Sequence, residues 1–342
     1  MDVIAGLIDE ALASGLGSAV AVSVGDSGRE IGRITRGHTR RLPDLGAPID
    51  DSTYFDVASL TKPMATVASA MVLVGDGALD LAAPIRRWIP EAASAKTVRD
   101  LLGHAAGCIA HVEFFRWLRS ERPADPRAAL VARAAAQPIA SAAPVYSDLG
   151  FIMLGAIVER AANQPLEAVF AELVAAPLEL SARFAVTPLA NAVATELDER
   201  GLVCGLVHDE NAYYGGRVCG HAGLFASIDD VAKFAAAMVA PHGRLRPEVV
   251  TRFFTEAPTQ STWRLGWDTP SATPGISQAG DRWPRTGAVG HTGFTGTSLW
   301  LDLPRRRWVS VLANRVHPTR FNGTADVIKA LRRAIGDVVA TM

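Results

Sequence analysis

The amino-acid sequence predicts an α/β fold of the α+β kind: an antiparallel sheet flanked by helices, with an all-helical domain inserted into it. Segments of alternating apolar residues separated by turns stand near both ends of the chain, at 18–35 and 294–314. Helical patterns open and close the sequence, in "MDVIAGLIDEALASG" and "DVIKALRRAIG", and would cover such a sheet. From 76 to 262 the patterns are mostly helical and are broken by loops rich in Pro and Gly. The expected division is residues 1–75 and 263–342 for the sheet domain and 76–262 for the insertion, with a cleft between them.

Taken in order, the first helix gives way to "AVAVSV" and "EIGRI", which flank "GDSG" at 25–28 and make it a hairpin turn. Proline fits a helix only in its first turn, so Pro63 and the apolar pattern from Met64 onward place a helix start a few residues before Pro63. The apolar run Met64 to Val74 is about half of what a bilayer span needs, and reads as a buried helix. An amphipathic helix is expected over Leu149 to Ala162, and a strand near 265. Alternation from Thr295 to Leu303, a Pro-Arg turn and a second run from Trp308 to Ala313 read as an antiparallel hairpin. The stretches "RSERPADPR" and "TPSATPGISQAGDRWPRTG" are expected as rims that shape specificity.

Composition narrows the function. The 342 residues are 49% apolar and 20% charged, with a net charge of -1 and no basic cluster, which disfavours nucleic acid and anionic membrane as partners and points to small molecules or peptides. Cys108, Cys204 and Cys219 form no CxxC pair and no metal-ligand spacing, so no metal is expected, and no spacing implies an organic cofactor. No HExxH, GxSxG or P-loop is present. The acidic residues Asp2, Asp9 and Glu10 stand where a signal peptide needs positive charge, so a cytoplasmic location is expected. Oligomeric state has no signature here.

Of 34 basic residues only four are lysines, and one of them, Lys62, stands three residues after Ser59 and directly before Pro63. Three apart at a helix start, the two side chains share a face. The unpaired N–H groups of the first turn and the helix dipole favour negative charge there, which suits a serine nucleophile beside an amine. The alternative is a capping serine with a solvent-facing lysine. In "APVYSDLGFIMLGAIVERAANQPL", Tyr146 and Asp148 precede the amphipathic helix. A tyrosine near Lys62 would have its phenolate favoured by the ammonium and could act as general base and acid, while Asp148 could be the N-cap of the helix. In "VGHTGFTGTSLWLDLPRRRWVSVLANRVHP", the glycines at 290, 293 and 296 suggest close approach to the backbone. Gly293 would clear space so that the N–H of Phe294 faces a bound carbonyl as an oxyanion donor.

In this order and spacing the three segments resemble the S-x-x-K, Y-x-N and K-T-G or H-T-G motifs of the serine β-lactamase and penicillin-binding protein superfamily. The chain looks most like the branch of class C β-lactamases, R61-type D-alanyl-D-alanine peptidases and family VIII carboxylesterases. "VRDLLGHAAG", "GHAGLFASIDDVAKFAAAM" and "VLANRVHP" extend the resemblance over most of the chain. It implies a β-lactamase/transpeptidase-like fold with Ser59 as nucleophile, Lys62 as its base or proton relay, and Tyr146 returning a proton to the leaving group. Backbone N–H groups of Ser59 and Phe294 would form the oxyanion hole. His291 would replace the lysine of the third motif, with Thr292 and Gly293 beside it. Asn314 and Arg315 fall where relatives hold a substrate carboxylate. His221 and Ala222 would line the opposite wall, with a packed structural role the alternative for His221. Asp148 departs from the asparagine of the pattern: ionised, it only accepts hydrogen bonds, would hold Lys62 protonated and would repel an anionic substrate. The expected function is a serine hydrolase working through an acyl-enzyme on small esters or amides. A D,D-carboxypeptidase or β-lactamase, and a penicillin-binding sensor without turnover, are the alternatives.

Overall fold

A computed structural model describes residues 1–140 and 142–342. Five strands form one antiparallel sheet: β1 (Ala19–Asp26), β2 (Arg29–Gly37), β3 (Ala288–Thr292), β4 (Ser298–Asp302) and β5 (Arg307–Ala313), in the order β2-β1-β5-β4-β3. The ends of the chain thus meet in one sheet, where β1 pairs with β5 in the register Val22 to Val311. The β1–β2 turn has positive φ at Ser27 (53°) and Gly28 (81°), the geometry whose twist matches a two-residue hairpin. The expected strand near 265 reduces to one isolated bridge between Asp268 and Gly290.

Side chains alternate across the sheet and both faces are covered. Ala19 and Ala21 of β1, Leu299 and Leu301 of β4 and Trp308 and Leu312 of β5 pack into the larger core with most of the helices. Val20, Val22 and Val24, Trp300, and Val309 and Val311 pack on the other side with Ile4 and Ile8 of α1 (Asp2–Ala13) and Ile328, Leu331 and Ile335 of α5 (Ala325–Ala340). Each such aliphatic side chain contributes about 1.5–3 kcal/mol on burial.

Helix α2 (Ala58–Gly75) crosses the middle of the molecule. It begins with a tight turn at Ala58–Leu60, passes through widened turns at Lys62–Val67 with Pro63 near their start, and continues regularly from Ala68. By length and composition it could cross a bilayer, yet 83% of it is buried inside the protein. Helix α3 (Asp148–Ala162) is capped by Ser147, whose hydroxyl accepts from the N–H of Gly150 at 3.1 Å. The cap is therefore not Asp148, which leaves its carboxylate free for other partners. Within the stretch 76–262, helix α4 (Ile228–Val239) lies against β1, β4 and β5. We propose that the helical insertion ends before α4 rather than at 262.

Candidate active site

Ser59 lies in the first turn of α2, and the residue before it, Ala58, has φ +48°. Such a left-handed conformation costs a non-glycine residue about 1–3 kcal/mol and is tolerated where surrounding contacts enforce it. Here the carboxylate of the buried Asp56 accepts from the N–H of Ala58 at 2.8 Å and from that of His208 at 2.7 Å. One turn on, Lys62 is wholly buried, and its Nζ donates to Ser59 Oγ at 3.0 Å, to Asp148 Oδ1 at 2.8 Å and to the carbonyl of His221 at 3.3 Å. Tyr146, ahead of α3, donates its hydroxyl to Ser59 Oγ at 2.9 Å. Ser59, Lys62, Tyr146 and Asp148 are therefore one hydrogen-bonded cluster.

Its electrostatics follow from burial and Asp148. Burial alone would push the Lys62 amine down, but the carboxylate of Asp148, with Tyr146 beside it, outweighs burial and carries Lys62 well above the ordinary lysine range. Burial opposes ionisation of Asp148 too, and Lys62 with His111 holds its carboxyl far below the usual value. The lysine is thus an ammonium, as the departure from asparagine led us to expect. Tyr146 differs from expectation: Lys62 favours its phenolate, yet burial is stronger and the phenol is raised above 10.0. The repulsion expected of Asp148 toward anions is offset, because Lys62 and His111 Nδ1, at 3.3 Å, occupy both of its oxygens.

The loop after β3 closes the other side. Thr295 Oγ1 donates to the carbonyl of Asp56 and Thr297 Oγ1 to that of Val57, each at 2.8 Å, tying this loop to the segment that carries Ser59. A Cβ on Gly293 would stand 2.1 Å from Thr297 Oγ1 and 2.6 Å from the carbonyl of Val57, so only glycine allows this approach. Among the described residues, neither the N–H of Ser59 nor that of Phe294 donates to a protein acceptor. His291 donates from Nδ1 to the carbonyl of Thr292 at 2.8 Å, which leaves buried Nε2 as an acceptor with no partner among the described residues. Burial and the Lys62 charge push His291 down to about 3, so it is neutral.

Ser59, Tyr146, Asp148, His221, Ala222, His291, Thr292, Gly293, Phe294 and Arg315 line one cavity of about 690 Å³. Asn314 does not, and its expected contact with substrate is corrected. Its side chain is 2% exposed and fully used: Oδ1 accepts from the N–H of Ser18 at 2.8 Å and of Ala19 at 3.0 Å, and Nδ2 donates to Ser18 Oγ and the carbonyl of Ala194. His221 lies at the wall with a structural role: it is 1% exposed, bonded through Nε2 to Asp209 at 2.9 Å and through Nδ1 to Cys219 at 3.1 Å. Arg315 donates Nε to the carbonyl of Phe294 at 2.8 Å and lies over its ring.

Several cavity residues had no sequence motif. Trp263 packs its ring 5.3 Å from that of Tyr146 and 6.0 Å from that of His291. His111 caps Asp148, and Arg320, Lys329 and Arg332 also line the cavity. For Arg332 a signal existed: it follows Ile328 by four and precedes Ile335 by three, on the apolar stripe of the closing helix. Among the described residues no group of His, Cys, Asp and Glu side chains is placed to hold a metal.

The β-lactamase family model matches residues 4–333. The chain belongs to the β-lactamase family. It is 28% identical over 307 residues to a protein of Escherichia coli (strain K12) named provisionally as a D-alanyl-D-alanine carboxypeptidase, a match covering 78% of this chain and 70% of that one. It is 27% identical over 357 residues to an N-acetylmuramyl-L-alanine amidase of Bacillus subtilis (strain 168), covering 91% and 80% of the two chains. Among solved structures, a class C β-lactamase from Rhodobacter sphaeroides superposes with a TM-score of 0.72 at 17% identity over 100% of this chain and 99% of that one, which establishes the β-lactamase/transpeptidase fold.

Proposed function

We propose that the protein is a serine hydrolase that forms an acyl-enzyme on Ser59 and acts on small esters or amides. The observation that carries this reading is the approach of both Lys62 Nζ (3.0 Å) and the Tyr146 hydroxyl (2.9 Å) to Ser59 Oγ, inside a cavity that also holds two uncommitted N–H groups. Ser59 Oγ attacks the acyl carbon, and the carbonyl oxygen takes up the negative charge between the N–H groups of Ser59 and Phe294. Tyr146 passes its proton to the departing oxygen or nitrogen as it receives that of Ser59, so the bond to the leaving group breaks with protons balanced. The Lys62 ammonium stabilises charge on both oxygens throughout. Water then attacks the acyl-enzyme by the same route in reverse, releasing the acid and restoring Ser59.

A D,D-carboxypeptidase or β-lactamase is the second reading, favoured by the provisional name of the Escherichia coli relative and by Arg315, which lines the cavity and, among the described residues, uses only Nε of its guanidinium in a hydrogen bond. A cytoplasmic location and the assignment of the site residues are part of the proposal. Single-turnover acylation of Tyr146→Phe tests it: the rate should fall about 10²–10⁴-fold with folding retained, and a wild-type rate would refute the proton route.

A further inference from the structure

The peptide unit between Gly293 and Phe294 carries the Gly293 carbonyl on one edge and the Phe294 N–H on the other, pointing in opposite directions within one plane. On the carbonyl edge stands Arg332 of α5. Its Nη2 donates to Gly293 O at 2.9 Å and to Thr297 O at 2.7 Å, and its Nη1 donates to Gln278 Oε1 at 3.2 Å. Arg332 is 7% exposed and, among the described residues, has no carboxylate within ion-pair distance. A buried cation without a counter-charge costs several kcal/mol, and a neutral amide could hold a carbonyl more cheaply. Glycine on one side of the peptide makes its plane freer to turn; the N–H of Gly296 donates to the Gly293 carbonyl at 3.1 Å, closing the turn, and Arg332 adds a charged donor to the same oxygen.

We propose that Arg332 is a positioning residue for the oxyanion hole: by gripping the Gly293 carbonyl it fixes the Gly293–Phe294 peptide with the Phe294 N–H toward Ser59, and its charge polarises that amide into a stronger donor. The inference rests on the Ser59 acyl-enzyme reading. Polarisation passes along an amide because a donor at the carbonyl oxygen draws electron density from nitrogen, an effect of about 10–30% per bond. Burial and the neighbouring Arg315 push the Arg332 guanidinium down to about 9, so it is still charged at neutral pH. The threonine bonds of the same loop fix its position against Ser59, and Arg332 fixes the orientation of one peptide within it.

The test is the infrared stretch of the acyl-enzyme carbonyl, isolated by ¹²C minus ¹³C difference spectra with a carbonyl-labelled p-nitrophenyl ester in wild type, Arg332→Lys, Arg332→Gln and Arg332→Met. In the wild type the band should lie at low wavenumber, as for a carbonyl gripped by strong donors. It should move up in Arg332→Gln and further in Arg332→Met, with Arg332→Lys closest to wild type. The acylation rate should fall by at least about tenfold and by less than the 10²–10³-fold of losing a donor outright, with KM changed little. If Arg332→Met does not fold, the lysine and glutamine variants decide. An ester band unmoved across the folded variants would overturn the inference alone. No ester band in the wild type would overturn the Ser59 reading and this inference with it.

Discussion

Lys62 has no exposure and a carboxylate at 2.8 Å, so its charge state is decided by Asp148. Replacing Asp148 by Asn removes the carboxylate that raises the lysine and leaves only Tyr146, which also raises it, against burial, which lowers it. Its ammonium would then be lost at lower pH. If Lys62 works as the ammonium, acylation by Asp148→Asn should decline on the alkaline side at a pH where the wild type is still flat. Stopped-flow acylation across pH checks this, and a rate that instead rises as the variant lysine loses its proton would make Lys62 the base. That Ser59, Lys62 and Tyr146 would meet was legible from the order and spacing of the motif segments that carry them and from Pro63, which marks the helix start. Asn314 was misread because adjacency to Arg315 says nothing of side: Arg315 reaches the cavity while Asn314 turns to β1. The neutral state of Tyr146 was not legible, since an expected approach to Lys62 in the fold gives no measure of burial.

At the scale of elements, the cluster depends on α3 lying close to the 218–223 segment. A Cβ on Gly220 would meet the carbonyl of Phe151 at 2.2 Å and the N–H of Gly155 at 2.7 Å, and Thr66 Oγ1 of α2 donates to the carbonyl of Gly220 at 2.6 Å. Gly220→Ala should therefore push α3 away from α2 and with it Asp148 from Lys62. We expect a loss of about 1–3 kcal/mol in unfolding free energy, typical of overpacking, together with slower acylation; denaturant unfolding and single-turnover rates measure both, and unchanged values would show that the contact yields. The helices and the two hairpins were legible from period and turn chemistry. The alternative of Asp148 as the cap of α3 gives way to Ser147, one residue earlier, because both are strong capping types and only the folded backbone chooses between them. The strand near 265 failed although Trp263, Leu265 and Trp267 alternate with Arg264, Gly266 and Asp268, because alternation over so short a stretch fixes no partner strand.

Across the whole molecule the fold was legible from its two ends, since segments 18–37 and 288–313 are each incomplete sheets that bury both faces only together. The packing of α4 under that sheet was not, because its apolar stripe fits an insertion equally well. Acid stability also belongs to this scale. Burial raises Glu196, but His208 and Arg320 hold it down to about 2, and His221 brings buried Asp209 to about 2 likewise. Folded values below the ordinary ones give stability that is present above about pH 4–4.5 and lost as pH falls toward 2. Glu196→Gln should be less stable than wild type at neutral pH, with the gap closing as pH approaches 2; urea unfolding against pH reads it, and a gap independent of pH would contradict the ionic origin. The central claim is covalent, and time-resolved intact mass of wild type and Ser59→Ala with a short-chain p-nitrophenyl ester and, separately, with benzylpenicillin tests it most directly. An adduct of acyl mass on the wild type alone is the expected result. An adduct that persists in Ser59→Ala, or none on either protein with either compound, would contradict it.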